Sequence, residues 1–360
     1  MRPSRLRKRG SAVPTMREIA QRAHVSIGTV SRVLNRYEDV DEDLRERVET
    51  VARKIGYQMS ARTRAVIQNK AGIIGLILLN DLGLNSAQSL LLVGVEEYCA
   101  TAGYYLLFAR HQHAAAAAAA SVELPSVVQI PGLADCVILA GAVHANMLRA
   151  FEHNGFEYVL LRNHLSEGDA AVPRGNFVEY DDAGGFYRAA QYLAQLGHKD
   201  IWYIGDASRP WDRNRLKGYL RAMTELNFEP HVHTIALSDD EFENGLAAVS
   251  FIFEQGWPLT AILAASDQIA FGAREGMRQH RREIPRDVSL IGFEHEPGVG
   301  RASNLTSVAV DMVEVGRQLA KAAIAQIEKK EKQGSDIVVP ASLIKRSTCR
   351  PLREEEHMML

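Results

Sequence analysis

From Gly72 onward the chain alternates short apolar runs with longer amphipathic ones, and that alternation narrows its possible folds sharply. Strand-length runs fall at Ile73–Leu79, Tyr104–Ala109, Cys136–Ala140, Tyr158–Leu161, Phe177–Tyr180, Ile201–Ile204, Val232–Ala236, Ala261–Ala264 and Val288–Ile291. Helix-like stretches separate most of them. Strands alternating with helices predict parallel sheets covered by helices on both faces. Nine strands exceed one comfortable sheet, so two doubly wound lobes are expected, with a ligand cleft between them at the C-terminal ends of the strands.

The same residues exclude several classes. The longest apolar run, Ile73–Leu79, is far short of the ~18–20 residues of a membrane span. Met1 to Gly10 is basic with no apolar segment behind it, unlike a secretory signal. Cys99, Cys136 and Cys349 lie far apart and form no CxxC pair, so neither a disulfide framework nor a zinc site is expected, and a cytoplasmic location is. There is no GxGxxG after a strand, no Walker motif, no HExxH and no Gly-x-Ser-x-Gly elbow, hence no cofactor site, metal site or catalytic constellation. His111 and His113 form a close pair without carboxylates to complete a metal site and read as a solvated loop. The seven alanines Ala114–Ala120 read as a helix of high propensity.

Charge is unevenly spread. Residues 1–66 hold 15 Lys and Arg against 8 Asp and Glu, a surplus of +7, whereas the whole chain is −2. A basic head on an acidic body suggests that the head meets a polyanion. Within that head, Thr15 followed by Glu18 has capping-box spacing, and Ile19, Ala20 and Ala23 share one face. After the break at His24-Val25, Ser26 can cap a second helix with Val30, Val33 and Leu34 inside. Its outer side, Ile27, Thr29, Ser31, Arg32 and Asn35, carries short hydrogen-bonding groups suited to phosphates and base edges. A third helix from Asp41 to Ile55 has Leu44, Val48, Val51, Ala52 and Ile55 as its stripe. Together these make a helix-turn-helix.

The run Thr15-Met-Arg-Glu-Ile-Ala-Gln-Arg-Ala-His-Val-Ser-Ile-Gly-Thr-Val-Ser-Arg-Val-Leu-Asn35 resembles the signature of the lactose-repressor (LacI/GalR) family. The resemblance continues through Arg45–Val48 and Ile55-Gly-Tyr57, then Val178–Gly185, Leu196–Lys199, Arg215–Tyr219, Ala265–Gly272, Pro285–Phe293 and Leu305-Thr306, in family order. It implies an all-α helix-turn-helix head, a hinge helix and an α/β core like periplasmic binding proteins, with two lobes hinged by three crossovers. The expected divisions are a basic arm (1–14), the head (15–58), the hinge (59–70), the effector and dimerisation core (71–348) and a tail (349–360). The tail shows no heptad to build a tetramer. The implied function is a DNA-binding transcriptional regulator, a repressor, acting as a homodimer on a near-palindromic double-stranded operator and controlled by a sugar-like effector. A transport-type binding protein is the alternative, and it has no use for residues 15–66.

The resemblance implies DNA contacts at Thr15, Ser26, Ile27, Gly28, Thr29, Ser31, Arg32, Asn35, Tyr57, Ser60 and Val66. His24 stands where the turn usually has Gly, a position His can occupy at some cost. Gly28 stands where a base-reading side chain is common: either readout is reduced there, or glycine is simply tolerated near a helix start. In the hinge, Met59 replaces the usual Pro, and Val66 replaces the Leu that wedges into the minor groove. Thr63 and Val66 are weak helix formers, so the hinge is expected to order on DNA; a plain linker is the other reading.

For the effector, the resemblance points to Asn80, Asp81, Arg110, Arg162, Arg215, Ser266, Asp267 and Glu294. Arg162 stands where many members have an Asp that accepts sugar hydroxyls. A guanidinium there would suit a carboxylate or phosphate, and with Arg215 and Arg110 would favour an acidic sugar. Alternatively Arg162 pairs with Glu294, Asp267 or Asp181 and the ligand is a neutral sugar; a nucleobase-type molecule, or no small ligand, is the remaining reading.

Overall fold

The computed structural model describes residues 14–34, 37, 40–55, 70–79, 84, 86–115, 117–166, 176–234, 240–294, 304–328 and 337–352. They fall into two compact units that divide between Lys70 and Ala71.

The first unit is three helices: α1 (Met16–Ala23), α2 (Ile27–Leu34) and α3 (Glu42–Lys54). Thr15 caps α1, its Oγ1 accepting the Glu18 N–H, and Asp41 caps α3 through the Asp43 and Leu44 N–H groups. Ile19, Ala23, Val30, Val33 and Val48 meet in a small core, each no more than 1% exposed. His24 ends α1 at φ 53°, ψ 47°, the left-handed conformation the turn needs, so the absence of glycine there does not prevent the turn.

The second unit holds two six-stranded sheets. One has the order β11-β5-β4-β3-β1-β2, all parallel, from β1 (Ile73–Leu79), β2 (Tyr105–His111), β3 (Cys136–Gly141), β4 (Tyr158–Leu161), β5 (Asn176–Tyr180) and β11 (Ile337–Val339). The other has the order β12-β10-β9-β8-β6-β7, from β6 (Ile201–Ile204), β7 (His231–His233), β8 (Ala261–Ala264), β9 (Ser289–Glu294), β10 (Thr306–Val310) and the antiparallel β12 (Ala341–Ile344). Their helices are α4 (Ser86–Thr101), the single turn α5 (Ser126–Gln129), α6 (Ala145–His153), α7 (Asp182–Gln195), α8 (Pro210–Leu226), α9 (Glu241–Glu254), α10 (Asp267–Gln279) and α11 (Met312–Ile327). The two lobes are as the sequence suggests, and α11 packs back on the first lobe.

Several helix pairs approach until only glycine fits. A Cβ on Gly94 of α4 would lie 1.9 Å from the Val313 carbonyl oxygen on α11, and one on Gly218 of α8 would lie 1.9 Å from that of Ala183 on α7. The chain passes between lobes at Tyr180–Asp182, Val310–Met312 and Val339–Ala341. Two of these crossovers are tied together, because the Asp181 N–H donates to Val339 O (2.9 Å) and Arg188 bridges Asp181 and the Ala341 carbonyl.

Three strands escape the apolar pattern. β10 begins Thr306-Ser307, yet both residues are fully buried. The Thr348 hydroxyl accepts the Thr306 N–H and the Ser307 hydroxyl donates to Asp267, so a central strand carries hydroxyls without loss. β11 and β12 are too short to announce themselves. Among its described residues the alanine run does not form the expected helix: Ala119 and Ala120 begin one 3-10 turn, Ala119–Ser121. Asn146 Nδ2 donates instead to the carbonyls of Ala114, Ala115 and Ala117, so a tertiary hydrogen-bond donor overrides propensity. His113 is half-buried between His111 and His144, unlike a solvated loop, and burial lowers its pKa to about 4. Among the described residues no helix is long and apolar enough to cross a membrane.

Candidate nucleic-acid interface and ligand cleft

The outward side of α2 is the head's candidate interface. Ser26, Ile27, Gly28 and Arg32 are exposed, while Thr29 and Ser31 are half-buried. Ser26 Oγ accepts the Thr29 N–H (3.0 Å) and lies 2.8 Å from Thr29 Oγ1, which fixes the start of the helix. Ile27 leaves 46% of its surface open, unusual for a large aliphatic residue in so small a core. Arg32 lies over the Tyr37 ring, 5.4 Å from its centroid. A Cβ on Gly28 would meet nothing closer than Ser26 Oγ at 3.5 Å, so packing within the head does not demand glycine there. Asn35, Tyr57, Ser60 and Val66 lie outside the described residues.

In the core, a cleft opens between the C-terminal ends of the first lobe's strands and helix α8 of the second lobe. Leu78 of β1, Ala140 of β3, His164 after β4 and Tyr180 of β5 line one side. Trp211 and Arg215 of α8 face them, and Gln88 and Leu91 of α4 with Met312 of α11 complete the wall. The space amounts to about 420 Å³ when its open mouth is counted with it.

Arg215 is the charged group of this wall, and it is already engaged. Its Nη1 donates to Asp212 Oδ1 (3.1 Å) and to the Ala265 carbonyl (2.5 Å), and its guanidinium lies 3.7 Å from the Phe293 ring centroid. Asp212 and Asp182 are each 2% exposed. Burial raises the Asp212 carboxyl to about 6 and that of Asp182 to about 7, against the opposing pull of Arg215. Asp182 Oδ1 accepts the Ala183 N–H. Its Oδ2 is buried with no hydrogen-bond partner.

His164 is buried, and its Nδ1 accepts the Gly141 N–H (2.8 Å), so a neutral ring carries its proton on Nε2. Burial, reinforced by Arg215, lowers its pKa to about 3. Its ring lies 4.9 Å from that of Trp211. Asn163 holds this corner by exchanging two hydrogen bonds with the Tyr180 backbone, 2.8 Å each. The cleft therefore offers aromatic faces, aliphatic floor, the Gln88 amide and a charge-balanced guanidinium.

The residues nominated from sequence do not all meet. Arg215 lines the cleft. Arg162 pairs with Glu179 (3.7 Å), a partner absent from the three carboxylates considered, lies over Phe177, and is not among the residues that line the cavity. Arg110 is exposed on β2, the edge strand of its sheet, and also does not line it. Ser266 caps α10 through the Ile269 N–H and donates to Glu241 (2.5 Å), while Asp267 accepts from Ser307. Asn80 and Asp81 lie outside the described residues, as does the side chain of Glu294. The cleft's aromatic groups were missed, although one signal existed: Trp211 and Arg215 stand at i and i+4 of one helix and so share a face.

Residues 15–60 match the family described as bacterial regulatory proteins, lacI family, and residues 190–349 match the periplasmic binding protein-like domain. Among curated relatives, the HTH-type transcriptional repressor CytR of Escherichia coli (strain K12) is 27% identical over 347 residues, 96% of this chain and 99% of that one. The ribose operon repressor of Haemophilus influenzae (strain ATCC 51907 / DSM 11121 / KW20 / Rd) is 26% identical over 343 residues, 94% of this chain and 99% of that one. Among solved structures, the Lac repressor dimer bound to operator and the anti-inducer ONPF superposes with a TM-score of 0.72 at 20% identity, covering 94% of this chain and 100% of the other. With a helix-turn-helix match at one end, a periplasmic-binding-type match over the core and repressors aligned end to end, the chain belongs to the lacI family of bacterial regulatory proteins.

Proposed function

We propose that the protein is a transcriptional repressor that binds a near-palindromic operator as a homodimer in the cytoplasm, and that the cleft takes an uncharged, ring-shaped effector: a neutral sugar or a nucleoside. Two α2 helices in successive major grooves would read half-sites related by the dimer axis. The aligned relatives are repressors, and solved structures of the same fold hold cellobiose or ribose, which supports an effector of this size.

One observation carries the effector class. Arg215, the cation of the cleft wall, is matched by Asp212 at 3.1 Å inside a fully buried cluster. An incoming carboxylate or phosphate would have to be desolvated beside that carboxylate as well, a penalty that a neutral molecule avoids. Arg162, the residue that made an acidic sugar attractive, is paired with Glu179 elsewhere. Trp211, with His164 beside it, offers the flat face on which a pyranose or a base can stack.

The test is a thermal-shift panel of neutral sugars, nucleosides, sugar acids and sugar phosphates, on the wild type and on Trp211→Ala. A ligand at 100 times its Kd should stabilise the folded protein by about 2.7 kcal/mol. Neutral compounds should shift the wild type and lose that effect with Trp211→Ala. A response confined to acids or phosphates would overturn the neutral reading.

A further inference from the structure

The first strand of the core starts on a carboxylate. Asp135, just ahead of β3, accepts the Ala71 N–H on Oδ1 (2.6 Å) and the Gly72 N–H on Oδ2 (2.7 Å), while its own N–H donates to the Ile73 carbonyl (2.9 Å). Two of these bonds are charge-assisted, and the fork fixes both position and direction of the backbone it holds. Gly72 sits at φ +69°, and its carbonyl accepts the Tyr105 N–H (2.8 Å), so the chain is also gripped from β2. Immediately before Ala71 the chain leads back to the helix-turn-helix head.

The other end of the same two strands is the cleft. β1 and β3 pair in parallel register, from Ile74 opposite Cys136 to Leu78 opposite Ala140 and Leu79 opposite Gly141. Leu78 and Ala140 line the cavity, and the Gly141 N–H is the donor to His164. The two strands are nearly wholly buried along this pairing, so they move as packed rods with little slack. At about 3.3 Å per residue they span roughly 15–20 Å from cleft to carboxylate. A shift of β3 along β1 at the end beside Ala140 and His164 would reach Asp135 as a displacement of its two oxygens against the Ala71 and Gly72 amides.

We propose that Asp135 is a positioning residue that couples occupancy of the cleft to DNA affinity, by holding the exit of the chain toward the head in a position set by the β1–β3 register. This rests on the regulator reading above. A cap whose only task was to start β1 would need the same hydrogen bonds, so the distinction lies in whether they respond to ligand.

The experiment uses the full chain, a duplex selected by the wild type from a random-sequence pool, and whichever of D-ribose, cellobiose, adenosine and cytidine gives the largest thermal shift. Duplex Kd is measured with and without that compound for the wild type and Asp135→Asn, compound affinity is measured for both, and amide exchange at Ala71 and Gly72 is followed in the wild type. Asp135→Asn should bind the compound within about threefold of wild type, while the compound-induced change in duplex affinity, typically ~5–150-fold in coupled systems, falls toward one. Exchange at Ala71 and Gly72 should change when the compound binds. An undiminished coupling ratio in Asp135→Asn, or exchange that ignores the compound, overturns the proposal. Should the variant fold poorly, the wild-type exchange decides alone. A wild type that selects no duplex or shows no ligand effect refutes the regulator or effector reading itself, a failure separate from that of Asp135.

Discussion

Arg215 and Asp212 stand one turn apart on α8, 3.1 Å between Nη1 and Oδ1, with 1% and 2% of their side chains exposed. The cation in the cleft wall is thus already paired with a carboxylate. Such a pair contributes little net stability, because desolvation offsets attraction, but breaking it leaves a buried charge alone. Asp212→Asn should lower the unfolding free energy by about 3 kcal/mol in a urea titration. If the neutral-effector proposal holds, the same variant should also gain a thermal-shift response to sugar acids that the wild type does not give. A variant as stable as wild type would mean that the Ala265 carbonyl and Phe293 suffice to hold Arg215.

The buried carboxyl of Asp182, at the first crossover, gives a pH signature. Its pKa rises from an ordinary 3.8 to about 7, so between these values the folded state holds a proton that the unfolded state has released. Stability should therefore fall as pH rises from about 4 to about 7, with the penalty absent below that window and complete above it. His164 runs the other way: its lowered pKa, about 3, costs stability as pH drops below its ordinary 6.5. Subtracting the Asp182→Asn profile from wild type isolates the first effect in urea titrations at several pH values. A flat difference between pH 4 and 7 would show Asp182 to be ionised throughout.

Gly94→Ala tests the helix pair beneath the cleft. Its Cβ would sit 1.9 Å from the Val313 carbonyl oxygen, a backbone atom that cannot rotate away. Overpacking of this kind should cost about 2–3 kcal/mol. Because α4 also presents Gln88 and Leu91 to the cleft, ligand affinity should drop with it. Calorimetry of unfolding and of ligand binding on one sample reads both.

In the head, Arg32→Ala should remove specific recognition without unfolding anything, since the side chain is exposed and outside the small core. Loss of a single base-reading arginine is worth about 1–3 kcal/mol. The measurement compares the selected duplex with a scrambled one. Equal losses on both would reassign Arg32 to a phosphate contact.

Much of this architecture is legible in the chain because it depends on local pattern. The runs Ile73–Leu79, Tyr158–Leu161, Ile201–Ile204 and Ala261–Ala264 are strands with the bounds their apolar content suggests, since buried parallel strands are apolar along their length. The three helices of the head follow equally from caps and periodicity.

Other features depend on partners distant in sequence, and the chain alone does not reveal them. Ala114–Ala120 is helix-prone by composition, yet Asn146, some thirty residues away, donates to the Ala114, Ala115 and Ala117 carbonyls. Thr306 and Ser307 read as surface residues until Thr348 and Asp267 satisfy them. Arg162 looked like a ligand group from its place after a strand, whereas Glu179 on the neighbouring strand takes its charge. The sequence by itself determined the family, the alternation of strands and helices in the core and the three helices of the head, all set by local pattern. Tertiary structure alone decided the burial of Arg215 in its cluster, the aromatic wall around it and the carboxylate on which β1 begins, because burial and pairing are properties of residues that meet only after folding.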